Sequence, residues 1–276
     1  MPELPEVEWA ARQLRRWLRG RRVASVACDP RARRLFRPGT PASFARALRG
    51  ARIVAVARHG KQLLLTLATP RGPLGVNAHL GMTGKWTRRA AGAPAPAHAR
   101  LTLLLDDGGR VDYADPRMFG RLRLVPGARF DRWPGLAALG PDPMAGPIDL
   151  ERLAARLRAT RRAVKVALLD QGLLAGVGNI HASEACWRAR IDPRRRGRSL
   201  TPAEVARLAR AVRASLRFGL AGLQVPELVY LEEGGENPFH VYGREGRPCR
   251  HRGCGGRVER LVQAQRSTYC CRRCQD

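Results

Sequence analysis

Long apolar runs are missing from this 276-residue sequence, and none approaches the ~20 residues that cross a bilayer. No secretory leader is read at the start, because the first helical stretch is charged. Together these absences exclude a membrane-spanning chain and predict a cytoplasmic protein. Internal repeats and low-complexity tracts are also absent; GAPAPAH (92–98) reads as a loop. Acidic residues are few, 23 against 51 basic ones, for a formal net charge of +28. A chain this basic calls for a polyanionic partner, nucleic acid first and a membrane surface or ribosome second. Lysine is scarcer still, at Lys61, Lys85 and Lys165 only, every other basic residue being arginine. GC-rich coding explains arginine in place of lysine but not the shortage of acids. It also makes the three lysines informative, because a strong drift has passed them over.

What is present divides into three parts. Apolar residues at Val7, Ala10, Ala11, Leu14, Trp17 and Leu18 mark one face of a leading helix that Gly20 ends. Strand-like runs follow: RIVAVARH (52–59) and KQLLLTLA (61–68) flank Gly60, residues 99–115 form a hairpin turning at DDGG, and RLRLVP is 121–126. Residues 20–130 therefore read as mostly β, a sandwich. A Pro/Gly-rich linker occupies 139–147. Beyond it the pattern is helical, with Asp149 capping 149–160 and a capping box at Thr201, Pro202 and Glu204. The fold class is thus α+β and multidomain, with domains expected at 1–138, 148–235 and 240–276.

Five of the seven cysteines lie between 249 and 274. In a reducing compartment they are not disulfides. CRHRGC (249–254) and CCRRC (270–274), separated by a short hairpin, form the zinc-ribbon pattern. The expected ligands are Cys249, Cys254, Cys271 and Cys274, with Cys270 as the alternative to Cys271 through a longer spacing. One structural Zn2+ would supply folding energy to a module too small to fold alone. Cys28 and Cys186 read as buried small hydrophobes.

The chain opens MPELPEVE. Removal of Met1 would free a secondary amine at Pro2. An α-amino group has a pKa of ~8 against ~10.4 for lysine, so near neutral pH it is the more available nucleophile by about two orders of magnitude. Attack on an aldehyde-level carbon, such as a sugar C1′ bearing a base, gives an iminium ion. Glu3 could then move protons, and Glu6 could position the terminus. The plainer reading of PELPE is a proline-punctuated helix start with acids at the positive end of the dipole.

MPELPEVE, RHGKQLLL (58–65), HLGMTG (79–84), DPRMFG (115–120), GVGNIHASEA (176–185), VYGREGRPC (241–249) and QRSTYCCRRCQ (265–275) occur in one order. Together they resemble the formamidopyrimidine-DNA glycosylase/endonuclease VIII family of base-excision-repair enzymes, from end to end. The resemblance implies an N-terminal β-sandwich with a leading helix, then a helix–two-turn–helix domain with a C-terminal zinc finger. It implies Pro2 as Schiff-base nucleophile and Glu3 as general acid/base. Lys61 falls at the lysine of β-elimination and Arg266 at the zinc-finger arginine of δ-elimination. Met82, Arg117 and Phe119 match the trio that fills the void left by a flipped nucleotide, roles suited to wedging side chains and to an arginine facing the widowed base. His98, Arg161, Lys165 and Asn179 match DNA contacts, Asn179 at a turn–helix junction able to hold a phosphate.

The sequence departs from the family in places. Four residues separate the first two finger cysteines where two are usual. Met118 replaces a second arginine, Arg100 follows His98 where a second histidine is usual, and His181 stands where tyrosine is common. Residues 217–240 lack the Gly-Gly-Ser/Thr stretch of the loop that closes over the base. The resulting expectation is a monomeric glycosylase/AP lyase acting on damaged double-stranded DNA, associated with a bacterial-type nucleoid, without a nucleotide cofactor. Oxidised purines are the expected lesions. An endonuclease VIII-like preference for oxidised pyrimidines, or a non-catalytic damaged-DNA binder, are the alternatives.

Overall fold

The computed structural model describes residues 2–90, 92–223, 225 and 227–276, the side chain of Glu232 apart. Met1, whose removal the sequence reading requires, lies outside the described residues, as do 224 and 226 within the divergent 217–240 stretch. The chain forms two compact units that are not contiguous in sequence. One contains Pro2, Glu6–Ala137 and Val225–Gly234; the other contains Glu3–Pro5, Ala138–Gln224 and Gly235–Asp276.

The leading helix α1 (Leu4–Leu18) buries Leu4, Val7, Ala10, Ala11, Leu14 and Leu18 almost completely. Glu8 on this helix accepts from Arg58 at 2.8 Å and Arg12 at 3.0 Å, so one of the opening acids ties the helix to the sheet behind it. The strands are β1 (Val23–Cys28), β2 (Arg52–His59), β3 (Gln62–Thr69), β4 (Gly72–His79), β5 (Lys85–Ala90), β6 (Ala99–Leu105), β7 (Gly109–Ala114) and β8 (Arg121–Pro126). They form two antiparallel four-stranded sheets, β1-β6-β7-β5 and β2-β3-β4-β8, the expected sandwich. In the second sheet Leu65 pairs with Val56 on one side and Val76 on the other, and all three are buried. A helix that the strand reading passed over, α2 (Pro41–Leu48), starts at a capping box formed by Thr40 and Ser43. A single helical turn, α3 (Pro134–Ala137), ends the unit's main stretch.

The other unit holds α4 (Leu150–Arg158), α5 (Val164–Leu168), α6 (Asn179–Arg188) and α7 (Pro202–Ala221). Asp149 caps α4 through the Arg152 amide at 3.0 Å. The Thr201–Glu204 capping box starts α7 as its sequence predicts. Two turns over 169–178 join α5 to α6, and Leu157, Leu168, Val177, Ile191, Val212 and Leu216 form the core between the helices. Burying each such side chain contributes about 1.5–3 kcal/mol. The hairpin β9 (Glu259–Gln263) and β10 (Arg266–Cys270) carries the last cysteines. No helix among the described residues is long and apolar enough to cross a membrane.

Candidate functional site

Glu3 is 1% exposed, and its carboxylate caps α6. Oε1 accepts from the Ile180 amide at 2.8 Å and Oε2 from the His181 amide at 3.2 Å. The residue before the helix, Gly178, has no side chain to offer these amides, so a carboxylate from the start of the chain takes that place. A side chain at 178 would displace that carboxylate, because a Cβ on Gly178 would lie 2.2 Å from the Glu3 carboxyl carbon. The Leu4 amide also donates to Gly176 O at 3.2 Å, fixing the backbone that bears Glu3. Pro2, the neighbour of Glu3, is buried.

Asn179, the first residue of α6, is held on two sides. Its Nδ2 donates to Ser267 O on β10 at 2.9 Å and to the Tyr242 hydroxyl at 3.4 Å. Its Oδ1 accepts from Lys165 Nζ at 2.5 Å. Lys165 is 0% exposed, and its ammonium meets Asn179 rather than solvent. Burial pulls the Lys165 pKa down to about 8, the neighbouring Arg266 charge adding to the fall. Arg266 opens β10 beside Ser267 and is exposed. Arg161 is exposed in the connection between α4 and α5.

In the β unit, Lys61 directly follows Gly60 in the turn between β2 and β3 and is half-buried. Its charge, after burial itself, helps hold the His79 imidazole down at about pKa 4, with Arg121 and Arg123 contributing. Neutral His79 accepts the Gly81 amide on Nδ1 at 3.0 Å and so shapes the turn that carries Met82. That turn meets the Arg117–Phe119 turn closely. A Cβ on Gly81, whose φ is +65°, would come within 2.4 Å of the Phe119 carbonyl carbon. Met82 is half-buried and outside the core, Arg117 is exposed, and Phe119 is 38% exposed. The Arg117 guanidinium lies 4.9 Å from the Phe119 ring centroid. Met118, the departure from the family pattern, adopts a φ of +52° between them. His98 is exposed, with a φ of +60°, and its carbonyl accepts from the Asp115 amide at 3.1 Å.

The sulfurs of Cys249, Cys254, Cys271 and Cys274 all lie within 4.8 Å of one another. The Cys249–Cys274 separation is 3.7 Å and the Cys254–Cys271 separation 3.6 Å. A tetrahedral site with metal–sulfur bonds of ~2.3 Å has edges of ~3.8 Å, so this set fits one metal ion. Two ring nitrogens already face the sulfurs: Trp187 Nε1 donates to Cys249 at 3.3 Å and His251 Nδ1 lies 3.1 Å from Cys274. Cys270 falls outside the cluster and is buried, where desolvation pushes its thiol up to about 11. Cys186 is buried as expected, whereas Cys28 is only half-buried.

Sequence reasoning missed several residues that hold these parts in place. Glu184 is fully buried in α6 and gathers the amides of His240, Val241 and Tyr242 at 2.9, 2.7 and 3.1 Å, anchoring the segment that leads into the cysteine module. Burial alone would raise its pKa, but these hydrogen bonds and that from the His240 ring outweigh it and lower it. The divergent stretch contributes Tyr230, whose hydroxyl donates to Gly84 O at 2.7 Å, and Glu233, which pairs with Lys85 on β5. Lys85, one of the three lysines, is therefore an anchor for that stretch.

Comparison with known proteins matches this arrangement along the chain. Residues 1–122 match the formamidopyrimidine-DNA glycosylase N-terminal domain, and residues 139–225 match the formamidopyrimidine-DNA glycosylase H2TH domain. A formamidopyrimidine-DNA glycosylase of Paracoccus denitrificans is 41% identical over 290 residues, covering all of both chains. Wild-type Fpg (MutM) of Lactococcus lactis in complex with DNA containing N7-benzyl-Fapy-dG superposes with a TM-score of 0.86 at 28% identity, again over 100% of each chain. The same Lactococcus lactis protein in complex with DNA containing an oxidised pyrimidine gives a TM-score of 0.86 at 28% identity over 100% of each chain. The chain belongs to the formamidopyrimidine-DNA glycosylase family, the DNA glycosylases of base-excision repair.

Proposed function

We propose that this glycosylase is bifunctional, removing oxidised purines such as formamidopyrimidine and 8-oxoguanine and then cutting the strand by β,δ-elimination. The observation that carries the reading is Glu3, a buried carboxylate aimed by the Ile180 and His181 amides and covalently next to Pro2. With Met1 removed, the Pro2 nitrogen attacks C1′ and the C1′–base bond breaks, the departing base taking a proton. The ring C1′–O bond then opens to leave an iminium ion joining Pro2 to C1′. Glu3 is the acid and base for these proton movements. Loss of a proton from C2′ breaks the C3′–O bond, and a second elimination breaks the C5′–O bond. Lys61 serves the first elimination and Arg266 the second by gripping the flanking phosphate.

Met82, Arg117 and Phe119 fill the gap left by the extruded nucleotide. Asn179 and the N-terminus of α6 hold a backbone phosphate, Lys165 acting through Asn179, while Arg161 and His98 contact the backbone from exposed positions. The ion of the four-cysteine cluster is zinc. When bound it supplies folding energy to the module that carries Arg266, and the four thiolates leave no open position for chemistry. Relatives of this fold are known in complex with both purine- and pyrimidine-lesion DNA. An endonuclease VIII-like spectrum that includes oxidised pyrimidines is the second reading, because residues 217–240 lack the Gly-Gly-Ser/Thr stretch of the loop that closes over the base.

Borohydride trapping on a panel of lesion duplexes tests the reading, alongside intact mass measurement of the native protein. A covalent adduct is expected on formamidopyrimidine and 8-oxoguanine DNA, weakened by Pro2→Gly. Undiminished trapping after blocking the amino terminus would move the chemistry to a lysine. No adduct on any lesion would leave a damaged-DNA binder.

A further inference from the structure

One buried carboxylate sits where two turns meet. Asp115 is 0% exposed and begins the turn that carries Arg117 and Phe119. Its Oδ2 accepts the Gly120 amide at 2.8 Å, closing that turn on itself. Its Oδ1 accepts the Thr83 hydroxyl at 2.6 Å, and Thr83 follows Met82 in the other turn. Thr83 Oγ1 in its turn lies 3.4 Å from the Arg117 amide, which donates to it. The Tyr113 hydroxyl approaches Asp115 Oδ2 at 3.5 Å, and the Asp115 amide donates to His98 O at 3.1 Å. Burying a carboxylate is costly unless its lone pairs are occupied. Here one oxygen closes the turn that bears Arg117 and Phe119, and the other joins it to the turn that bears Met82.

We propose that Thr83 and Asp115 form a clasp that fixes the Met82 turn to the Arg117–Phe119 turn, so that the three side chains enter DNA as one unit. The proposal rests on reading those three residues as void-filling. Thr83 touches no reacting atom and is a positioning residue. The physical need is clear: side chains from two separate turns must fill one gap, and a displacement of about 1 Å is expensive in a reacting complex. Two turns ordered only on insertion would bind less well than two already held together.

The test compares wild type, Thr83→Val, Thr83→Ser and Phe119→Ala in single-turnover excision from a paired base lesion and in nicking of a preformed abasic site. An abasic site has no base to extrude, so it depends less on the wedge. Thr83→Val is expected to slow excision by roughly tenfold, about 1.4 kcal/mol. It should leave abasic nicking within about twofold and speed amide exchange over residues 115–120. Thr83→Ser keeps the hydroxyl and should behave as wild type on both substrates. Phe119→Ala separates this idea from its parent. Equal losses on both substrates for Phe119→Ala would overturn the wedge itself. A selective loss for Phe119→Ala, with Thr83→Val excising like wild type or losing both activities equally, would overturn the clasp alone. Should Thr83→Val not fold, Asp115→Asn replaces one acceptor oxygen with a donor and must show the same selectivity.

Discussion

Replacing Lys165 by methionine keeps a long flexible side chain and removes one buried charge. The pKa fall from 10.5 to about 8 measures how far the folded protein disfavours that charge, roughly 3 kcal/mol at the free energy of one pKa step. Below pH 8 the lysine is protonated in both the folded and the unfolded chain, so the cost is present in full. Between pH 8 and 10.5 the folded protein has released the proton while the unfolded chain still binds it, and stability rises with pH. Above 10.5 both forms are neutral and the rise ends. Wild-type stability should therefore gain up to roughly 3 kcal/mol on the methionine variant across that window. Urea unfolding of both proteins at pH 7.5, 8.5, 9.5 and 10.5 measures it, since cysteine and arginine titrations common to the two cancel. The same variant should leave the salt slope of DNA binding unchanged, because the ammonium is 0% exposed. Arg161→Ala, at an exposed position proposed to contact a phosphate, should lower the slope by ~0.9. Parallel pH curves, or a salt slope that falls for Lys165→Met as it does for Arg161→Ala, would refute the reasoning.

Chelation, or Cys271→Ser, should unfold residues 240–276 and weaken DNA binding while sparing the β unit's own unfolding transition; metal analysis finding no zinc in active protein would defeat this. Gly178→Ala should push Glu3 off the Ile180 and His181 amides, at about 1.5–3 kcal/mol per charged hydrogen bond, and abolish the borohydride adduct together with a fall in Tm. For His79, whose folded pKa is about 4, only the unfolded chain binds the proton between pH 6.5 and 4. Acid should therefore cost up to roughly 3 kcal/mol over that window. His79→Asn should show a shallower loss between pH 7 and 4.5 in urea titrations.

Much of the frame could be read from the chain because its signals are local. The capping box at Thr201–Glu204, the Asp149 cap and the strand at 52–59 each announce themselves within a few residues. The choice of Cys271 over Cys270 followed from knuckle spacing alone, and the sulfur positions agree with it. Strand β4 carries two glycines and a proline and offers no alternation, so no pattern marks it. Helix α2 hides because Pro41 and a short eight-residue span resemble a loop between strands. The site's supports were unreadable for a different reason. Thr83 and Asp115 are 32 residues apart, Glu184 and Val241 57, and Lys85 and Glu233 148. Neither member of such a pair carries a local sign of the other. Lys165 stood out by composition, yet nothing in its neighbours says that its charge points inward.

Helix α6 joins several of these supports in ten residues. Its amino end receives Glu3, Asn179 reaches Ser267, Glu184 holds 240–242, and Trp187 lies against Cys249 and stacks on His251 with ring centroids 3.9 Å apart. Nine of its ten residues are buried, from Asn179 to Trp187. In evolutionary terms such a segment has almost no neutral substitutions open to it. Its small residues cannot grow, because Ala182, Ser183 and Ala185 have no exposed surface. Its polar residues cannot become apolar without orphaning a partner. A saturation library over 179–188 should therefore tolerate change mainly at Arg188, the one residue of the helix that is not buried, and at His181, where the family commonly has tyrosine.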